Sequence, residues 1–110
     1  MSDEQARRVG LNEAIFRQVN EQIESLNRDL GTGATMTVVC ECADGECAER
    51  LEISLSEYER VRADARRYVI VPGHQLPEFE SIVESGDVYD VVEKREGTAA
   101  ALAEETDPRS

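Results

Sequence analysis

The chain has 110 residues and a mass of 12.2 kDa, which suits one compact domain. It carries 24 acidic against 12 basic side chains, and the formal charge of −12 argues against nucleic-acid binding, which needs a basic surface. The same charge opposes binding to anionic membranes, and no apolar run approaches the roughly 18 residues of a membrane span. The first ten residues contain no apolar signal-peptide segment. We therefore expect a cytoplasmic protein that binds neither nucleic acid nor membrane.

The first predicted element is an amphipathic helix over residues 10–29, because apolar residues recur there at spacings of three and four. This stripe consists of Ile15, Val19, Ile23, Leu26 and Leu30. Glu13 and Arg17, like Glu24 and Arg28, have the spacing and order that favour ion pairs along a helix. The stripe either packs on the core of its own domain or pairs with the same helix of a second chain. The protein is accordingly expected to be a monomer or a homodimer through the N-terminal helix.

The next segment predicts a β-hairpin followed by a short helix. Residues 35–42 are rich in β-branched side chains, and apolar and polar residues alternate over residues 49–54. The Asp44-Gly45 pair between them is a strong turn signal. Ser56 as the N-cap and Glu59 three residues later have the spacing of a capping box, which would begin the short helix.

Two further strands, over residues 68–71 and 88–92, are predicted from their β-branched and aromatic composition. Residues 77–84 between them are predicted to form a short helix with Pro77 in its first turn. The polar residues 1–9 are expected to be flexible, and the small, acidic residues 96–110 are expected to form a disordered tail. Residues 10–95 are then the single folded domain.

Three cysteines lie within eight residues, as Cys40, Cys42 and Cys47. Their odd number and a reducing cytoplasm both argue against a disulfide framework. Residues two apart on a strand project to the same face, so Cys40 and Cys42 should point together. The turn would then bring Cys47 back across the hairpin. Three converging thiols at this spacing indicate a zinc-knuckle-like turn.

A tetrahedral zinc ion needs a fourth ligand, and His74 is the one histidine of the chain. It follows a Pro-Gly turn at the end of a predicted strand. We therefore predict one Zn²⁺ per chain, bound by Cys40, Cys42, Cys47 and His74. Two alternatives remain: one or two of the cysteines are small buried hydrophobic residues with His74 a solvated turn residue, or Cys40 and Cys47 form a regulatory disulfide.

The acidic surroundings of the cysteines bear on their reactivity. Residues 31–64 contain 8 acidic and 3 basic side chains, a net charge of −5. Glu41, Asp44 and Glu46 should raise the pKa of the neighbouring thiols and so disfavour a nucleophilic thiolate. A bound Zn²⁺ would reverse this effect, because the cation deprotonates its ligands. The charge pattern thus favours a metal site over an activated cysteine.

Several motifs resemble those of a family of small uncharacterised bacterial proteins that is frequent in actinobacteria. The motifs are Glu13–Arg17, Cys40–Cys42, Cys47, Glu57–Arg62, Pro72–His74, Tyr89 and Val91–Lys94. The resemblance covers about residues 10–95. It implies that the cysteines and the Pro-Gly-His motif belong to one pattern, which suits a shared metal site, and it implies no activity.

The sequence therefore predicts an α+β fold: an N-terminal amphipathic helix, a β-hairpin with a zinc-knuckle-like turn, a short helix and two further strands in a small antiparallel sheet. Three functions fit this prediction. The protein is a zinc-stabilised interaction or regulatory module with a protein partner, a thiol and zinc redox or stress sensor, or a small metalloenzyme with an open zinc position. A closed Cys₃His site favours the first, because it leaves no position for a substrate.

Overall fold

The computed structural model describes residues 3–28 and 34–109 and shows an α+β fold. Its elements are α1 (Asp3–Asn27), β1 (Thr35–Val39), β2 (Arg50–Ser54), α2 (Leu55–Arg62), β3 (Arg67–Ile70), β4 (Glu80–Glu84), β5 (Asp90–Lys94) and α3 (Thr98–Glu105). The predicted fold class is confirmed, since an N-terminal helix, a hairpin, a short helix and a further antiparallel sheet follow one another. None of the helices in the two described ranges has the length and apolarity needed to cross a bilayer.

The strands form two separate antiparallel sheets. β1 pairs with β2 from Thr35 opposite Ser54 to Val39 opposite Arg50, and the second sheet has the order β3-β5-β4. Along both strands of the hairpin, buried apolar residues alternate with exposed polar ones, as expected for strands with one face against a core. The first core cluster contains Met36, Val38, Leu51, Ile53, Leu55, Tyr58 and Val69. A second cluster joins Cys40 and Cys42 to the three-stranded sheet and to α3.

The prediction of a helix over residues 77–84 is wrong. Pro77 to Phe79 form a turn, and Glu80–Glu84 is strand β4, which pairs with β5. Glu80 lies opposite Lys94, and Ile82 lies opposite Val92. The pairing partner is supplied by a later segment of the chain, so tertiary pairing overrides the local pattern.

The N-terminus of α2 also differs from the prediction. Its N-cap is Ser54, whose Oγ accepts a hydrogen bond from the Glu57 backbone N–H at 3.2 Å. The predicted N-cap, Ser56, already lies inside the helix. Both serines precede an acidic residue by three positions, so the spacing alone did not distinguish them. Tyr58 and Val61 are buried on the inner side of α2.

The predicted orientation of the N-terminal helix is wrong. The inward face of α1 carries polar residues, namely Glu13, Arg17, Asn20 and Glu24, which are at most 1% exposed. Three residues of the predicted apolar stripe face outward instead, with Ile15 62%, Val19 40% and Leu26 82% exposed, while Ile23 packs against the first core cluster. Leu30 lies outside the described residues. Partners elsewhere in the fold bond to most of these buried groups and reduce the penalty for burying them, although Glu13 Oε1, Arg17 Nε and Glu24 Oε2 make no hydrogen bond within the described residues.

The contacts of Arg17 show how these partners arise. Arg17 donates to the backbone carbonyls of Ala65 at 2.6 Å and Ala103 at 2.7 Å, and its guanidinium lies 4.7 Å from the centre of the Tyr68 ring. The predicted ion pair between Glu13 and Arg17 is therefore not formed. The predicted pair of Glu24 with Arg28 is present at 2.6 Å.

Glu13 belongs to a second charged group, which we call the ionic cluster: Glu13, Glu80 and Lys94. The Lys94 ammonium donates to Glu13 Oε2 at 2.5 Å and also to a Glu80 carboxylate oxygen. All three side chains are at most 1% exposed. Burial raises the pKa of Glu13 to about 8, although Lys94 opposes the shift.

Both ends of the chain were expected to be flexible or disordered, but the structure shows helices over most of their described length. Residues 3–9 belong to α1, and Thr98–Glu105 forms α3. The inner side of α3 buries small residues against α1, where a Cβ added at Gly10 would come within 2.9 Å of Leu102. Helices can approach this closely because glycine has no side chain. The expectations for Met1, Ser2 and Ser110 lie outside the described residues.

Candidate metal centre

The four residues predicted as metal ligands lie together between two loops. Cys40, Cys42 and Cys47 lie in the loop from β1 to β2, and His74 lies in the loop after β3. One ligand atom from each lies within 4.8 Å of all the others. Cys40 and Cys42 are buried, whereas Cys47 and His74 are partly exposed. This Cys₃His cluster could hold a metal ion.

The distances within the cluster suit tetrahedral coordination. His74 Nδ1 lies 3.5 Å from Cys40 Sγ and 3.8 Å from Cys47 Sγ. A tetrahedral zinc with Zn–S bonds of about 2.3 Å and a Zn–N bond of about 2.0 Å separates its sulfur and nitrogen ligands by about 3.5 Å. Little movement of these side chains is needed for them to share one ion.

Backbone turns hold the three cysteines in place. Cys40 N–H donates to the Glu49 carbonyl at 3.0 Å, which extends the hairpin one step beyond β1. Cys47 N–H donates to the Asp44 carbonyl at 3.0 Å, and the Asp44 side chain accepts from Glu46 N–H at 2.9 Å. Aspartate commonly stabilises a turn through such a side-chain hydrogen bond. The predicted turn at Asp44 thus returns Cys47 toward the other two thiols.

A second turn presents His74 to the cysteines. His74 N–H donates to the Val71 carbonyl at 3.1 Å, closing a four-residue turn with Pro72 and Gly73 at its centre. Gly73 has a φ of 93°, a backbone conformation that residues other than glycine rarely adopt. Proline followed by glycine at positive φ is the pattern of a type II turn. The Pro-Gly-His motif therefore has a direct geometric role.

Glu49 is a site residue that the sequence analysis missed. Its Oε2 lies 2.9 Å from His74 Nε2, the ring nitrogen remote from the thiols. A carboxylate that accepts from one ring nitrogen leaves the other as the metal ligand and fixes the ring orientation. Its position two residues after Cys47 could have indicated this role, but several other acidic residues lie as close to the cysteines in sequence.

The three thiols differ in pKa. A hydrogen bond from Cys40 lowers the pKa of Cys42 to about 5, with His74 contributing in the same direction. That hydrogen bond and burial raise the pKa of Cys40, and burial raises the pKa of Cys47. The expectation that acidic neighbours raise every thiol pKa is therefore wrong for Cys42. The arrangement favours one thiolate beside two thiols, a ready first ligand for a cation.

Comparisons with known proteins add no assignment to this geometry. No protein-family model, curated protein or solved structure matches the chain. The resemblance to actinobacterial proteins stays a prediction. The chemistry of the cluster is therefore inferred from its own residues, three sulfur ligands and one imidazole able to converge on a metal ion.

Proposed function

We propose that this protein binds one Zn²⁺ through Cys40, Cys42, Cys47 and His74 in a structural site, and that it acts as a cytoplasmic protein-interaction or regulatory module. The observation that carries the proposal is the convergence of four ligand atoms within 4.8 Å. Thiolate and imidazole ligands in a tetrahedral arrangement are typical of zinc. Four protein ligands complete the coordination, so the site suits a structural role better than catalysis.

A bound ion would join two parts of the fold. Cys40 and Cys42 pack against Tyr68 and Ile70 of the three-stranded sheet, while Cys47 returns toward β2 of the hairpin. His74 brings in the loop after β3. Zinc at this position would cross-link the hairpin loop to the second sheet, and such a link stabilises a small domain with a modest core.

A thiol and zinc redox sensor is the second candidate. The observation that favours it is the partial exposure of Cys47, which gives an oxidant access to one thiol. Hydrogen peroxide would oxidise Cys40 and Cys47 to a disulfide and be reduced to water, releasing the ion. The metalloenzyme reading has less support, because His74 Nδ1 faces two sulfurs as a ligand would.

Native mass spectrometry of the purified protein tests the metal site. We expect one zinc per chain in the wild type and loss of zinc in Cys40→Ser, Cys47→Ser and His74→Ala. Glu46→Gln is the matched control, since Glu46 is exposed in the same loop. Full zinc stoichiometry and unchanged stability in all three ligand variants would overturn the proposal. Reversible zinc loss on mild peroxide treatment would instead support the sensor.

For the partner, we propose a second copy of this chain, bound through the outward face of α1. The exposed residues of α1 from position 11 to position 26 are all uncharged: Leu11, Ile15, Gln18, Val19, Gln22, Ser25 and Leu26. An uncharged face is unusual on a chain whose charged residues make up 33% of the sequence. It allows two acidic chains to meet without placing like charges in contact.

The arrangement of the face supports antiparallel pairing. If two α1 helices run in opposite directions about a two-fold axis between residues 18 and 19, Leu11 lies opposite Leu26 and Ile15 opposite Gln22. Gln18 lies opposite Val19 in this register, so the exposed residues that meet across the axis are uncharged. A membrane is a poorer occupant, because the charge of −12 opposes approach to anionic lipid.

Analytical ultracentrifugation tests this pairing. We expect a concentration-dependent dimer for the wild type and a monomer for Ile15→Glu. Val88→Glu is the matched control, because Val88 is a 54% exposed apolar residue in the loop between β4 and β5 and is not part of the α1 face. A wild type that stays monomeric at all concentrations, or a dimer that Ile15→Glu leaves intact, would contradict the pairing.

A further inference from the structure

We propose that Glu41 is the positioning residue of the metal centre, and that its buried carboxylate fixes the chain between the ligands Cys40 and Cys42. This inference rests on the proposed metal site. Glu41 contributes no ligand atom to the Cys₃His cluster. Its role would be to hold the backbone so that the two flanking thiols already face His74 before an ion arrives.

The Glu41 carboxylate lies in the core and has three hydrogen-bond donors. Oε2 accepts from Asn20 Nδ2 at 2.8 Å and from the Tyr58 hydroxyl at 2.8 Å. Oε1 accepts from the Val69 backbone N–H at 3.0 Å. The residue is 0% exposed. Three converging donors replace the lost hydration of the carboxylate and hold it in one position.

The three donors come from three different elements, α1, α2 and β3. The backbone adds a fourth bond, from Glu41 N–H to the Val69 carbonyl at 2.9 Å. Asn20 also contacts Val39, two residues before Glu41: its Nδ2 donates to the Val39 carbonyl and its Oδ1 accepts from Val39 N–H, each at 2.8 Å. The chain from Val39 to Glu41 is therefore fixed on its core side by both helices and the second sheet.

The metal ligands lie on the other side of this segment. Cys40 Sγ lies 3.5 Å from His74 Nδ1 and accepts from Val71 N–H at 3.2 Å, while the Glu41 side chain points toward α1 and α2. Because Glu41 stands between Cys40 and Cys42, rotation of its side chain out of the core would turn both thiols away from the site. Holding ligands in the bound arrangement avoids the cost of ordering them on binding.

The predicted effect on binding is large for a residue that does not touch the ion. Loss of groups that orient metal ligands commonly lowers metal affinity by about 10-fold to 100-fold. Glu41→Gln keeps the shape of the side chain but replaces an acceptor oxygen by an amide donor, which must face Asn20, Tyr58 or Val69. We expect a loss of zinc affinity in this range. Tyr58→Phe, which removes one donor, should give a smaller loss in the same direction.

The experiment titrates the full chain with Co²⁺ and then measures zinc affinity by competition with a chelator. Glu41→Gln and Tyr58→Phe are compared with the wild type and with Glu46→Gln, whose carboxylate is exposed in the same loop. Circular dichroism confirms that each variant is folded. A purely structural role for Glu41 would lower the melting temperature and leave the cobalt spectrum and the affinity unchanged.

We expect Glu41→Gln to weaken both metals, to alter the thiolate-to-cobalt absorption and to speed metal loss to the chelator, while Glu46→Gln matches the wild type. Wild-type affinity and spectrum in a folded Glu41→Gln would overturn the positioning role and leave the metal site intact. If Glu41→Gln does not fold, Tyr58→Phe decides in the same way. Absence of cobalt and zinc binding by the wild type would instead overturn the proposed function.

Discussion

The Cys₃His cluster and the inward face of α1 both bury polar groups, and the partners of these groups are arranged differently. In the Cys₃His cluster, three of the four groups lie within eight residues, and the fourth follows a Pro-Gly turn. On the inward face of α1, Glu13 meets Lys94 and Arg17 meets the carbonyls of Ala65 and Ala103. The first region could be completed by a metal ion, whereas the partners in the second come from the chain itself.

The difference shows which buried polar groups can be predicted from a sequence. Cysteine spacing is set by local turns, so it survives as a readable pattern. An acidic residue on a helix looks the same whether its partner is water or a lysine far along the chain. The periodicity of α1 therefore indicated the helix correctly and its orientation wrongly.

The largest effect should follow from breaking the ionic cluster. Lys94→Met removes the cation between two buried carboxylates, and we expect the free energy of unfolding to fall by about 3–5 kcal/mol. Urea denaturation measures the loss. Arg95→Met is the control, since Arg95 is exposed beside Lys94 and its side chain donates to the Ser81 hydroxyl rather than to a buried carboxylate. A Lys94 variant as stable as this control would show that the cluster contributes little.

Removing the metal should have the next largest effect. At free zinc a hundredfold above the dissociation constant, the holo protein should be about 2.7 kcal/mol more stable than the apo protein. Urea denaturation with zinc and with a chelator measures this difference. Hydrogen exchange should show the loss confined mainly to residues 40–49 and 71–76. Equal stability with zinc and with the chelator would show that the metal does not stabilise the fold.

The ionic cluster should also make stability depend on pH. Glu13 has a pKa of about 8 in the folded protein against 4.5 as its ordinary value, with Lys94 and Glu80 facing it. Below the ordinary value the carboxyl is protonated in both states. Between the two values only the unfolded chain releases the proton, so its contribution to stability falls as pH rises, by at most about 1.4 kcal/mol per pH unit.

Denaturation at a series of pH values compares the wild type with Glu13→Gln. We expect the variant to lose this slope between about pH 5 and pH 8. Glu4→Gln is the control, because Glu4 is an exposed acid of the same helix. A slope that persists in Glu13→Gln would assign the pH dependence to other groups.

The smallest effect concerns Tyr68, whose ring lies between the two regions. It packs with Cys40 on one side, and Arg17 and Lys94 lie near its face. Its buried hydroxyl makes no hydrogen bond within the described part of the chain. Tyr68→Phe should therefore change the free energy of unfolding by less than about 0.5 kcal/mol.

Tyr58→Phe is the matched comparison, because the Tyr58 hydroxyl donates to the buried Glu41 carboxylate. Its loss should cost about 1–3 kcal/mol, since an acceptor in the core is left with one donor fewer. Thermal and urea denaturation of the two variants measure both effects. Equal losses would show that hydrogen bonding at these hydroxyls does not separate the two tyrosines.

The sequence by itself determined the features that depend on neighbouring residues. The β-branched run before Cys40, the Asp-Gly turn and the alternation from Leu51 to Leu55 predicted the hairpin. The cysteine spacing and the Pro-Gly-His motif predicted four residues that the structure brings together. Local backbone geometry carries this information, because turns fix the direction of side chains only a few residues apart.

Tertiary structure decided the features that depend on distant partners. It made residues 80–84 a strand by pairing them with β5, and it placed α3 on α1 where a disordered tail was expected. It also placed the polar face of α1 in the interior, because Lys94, Ala65 and Ala103 supply partners there. A burial cost depends on the groups that surround a side chain in the folded protein, and those groups are not its neighbours in sequence.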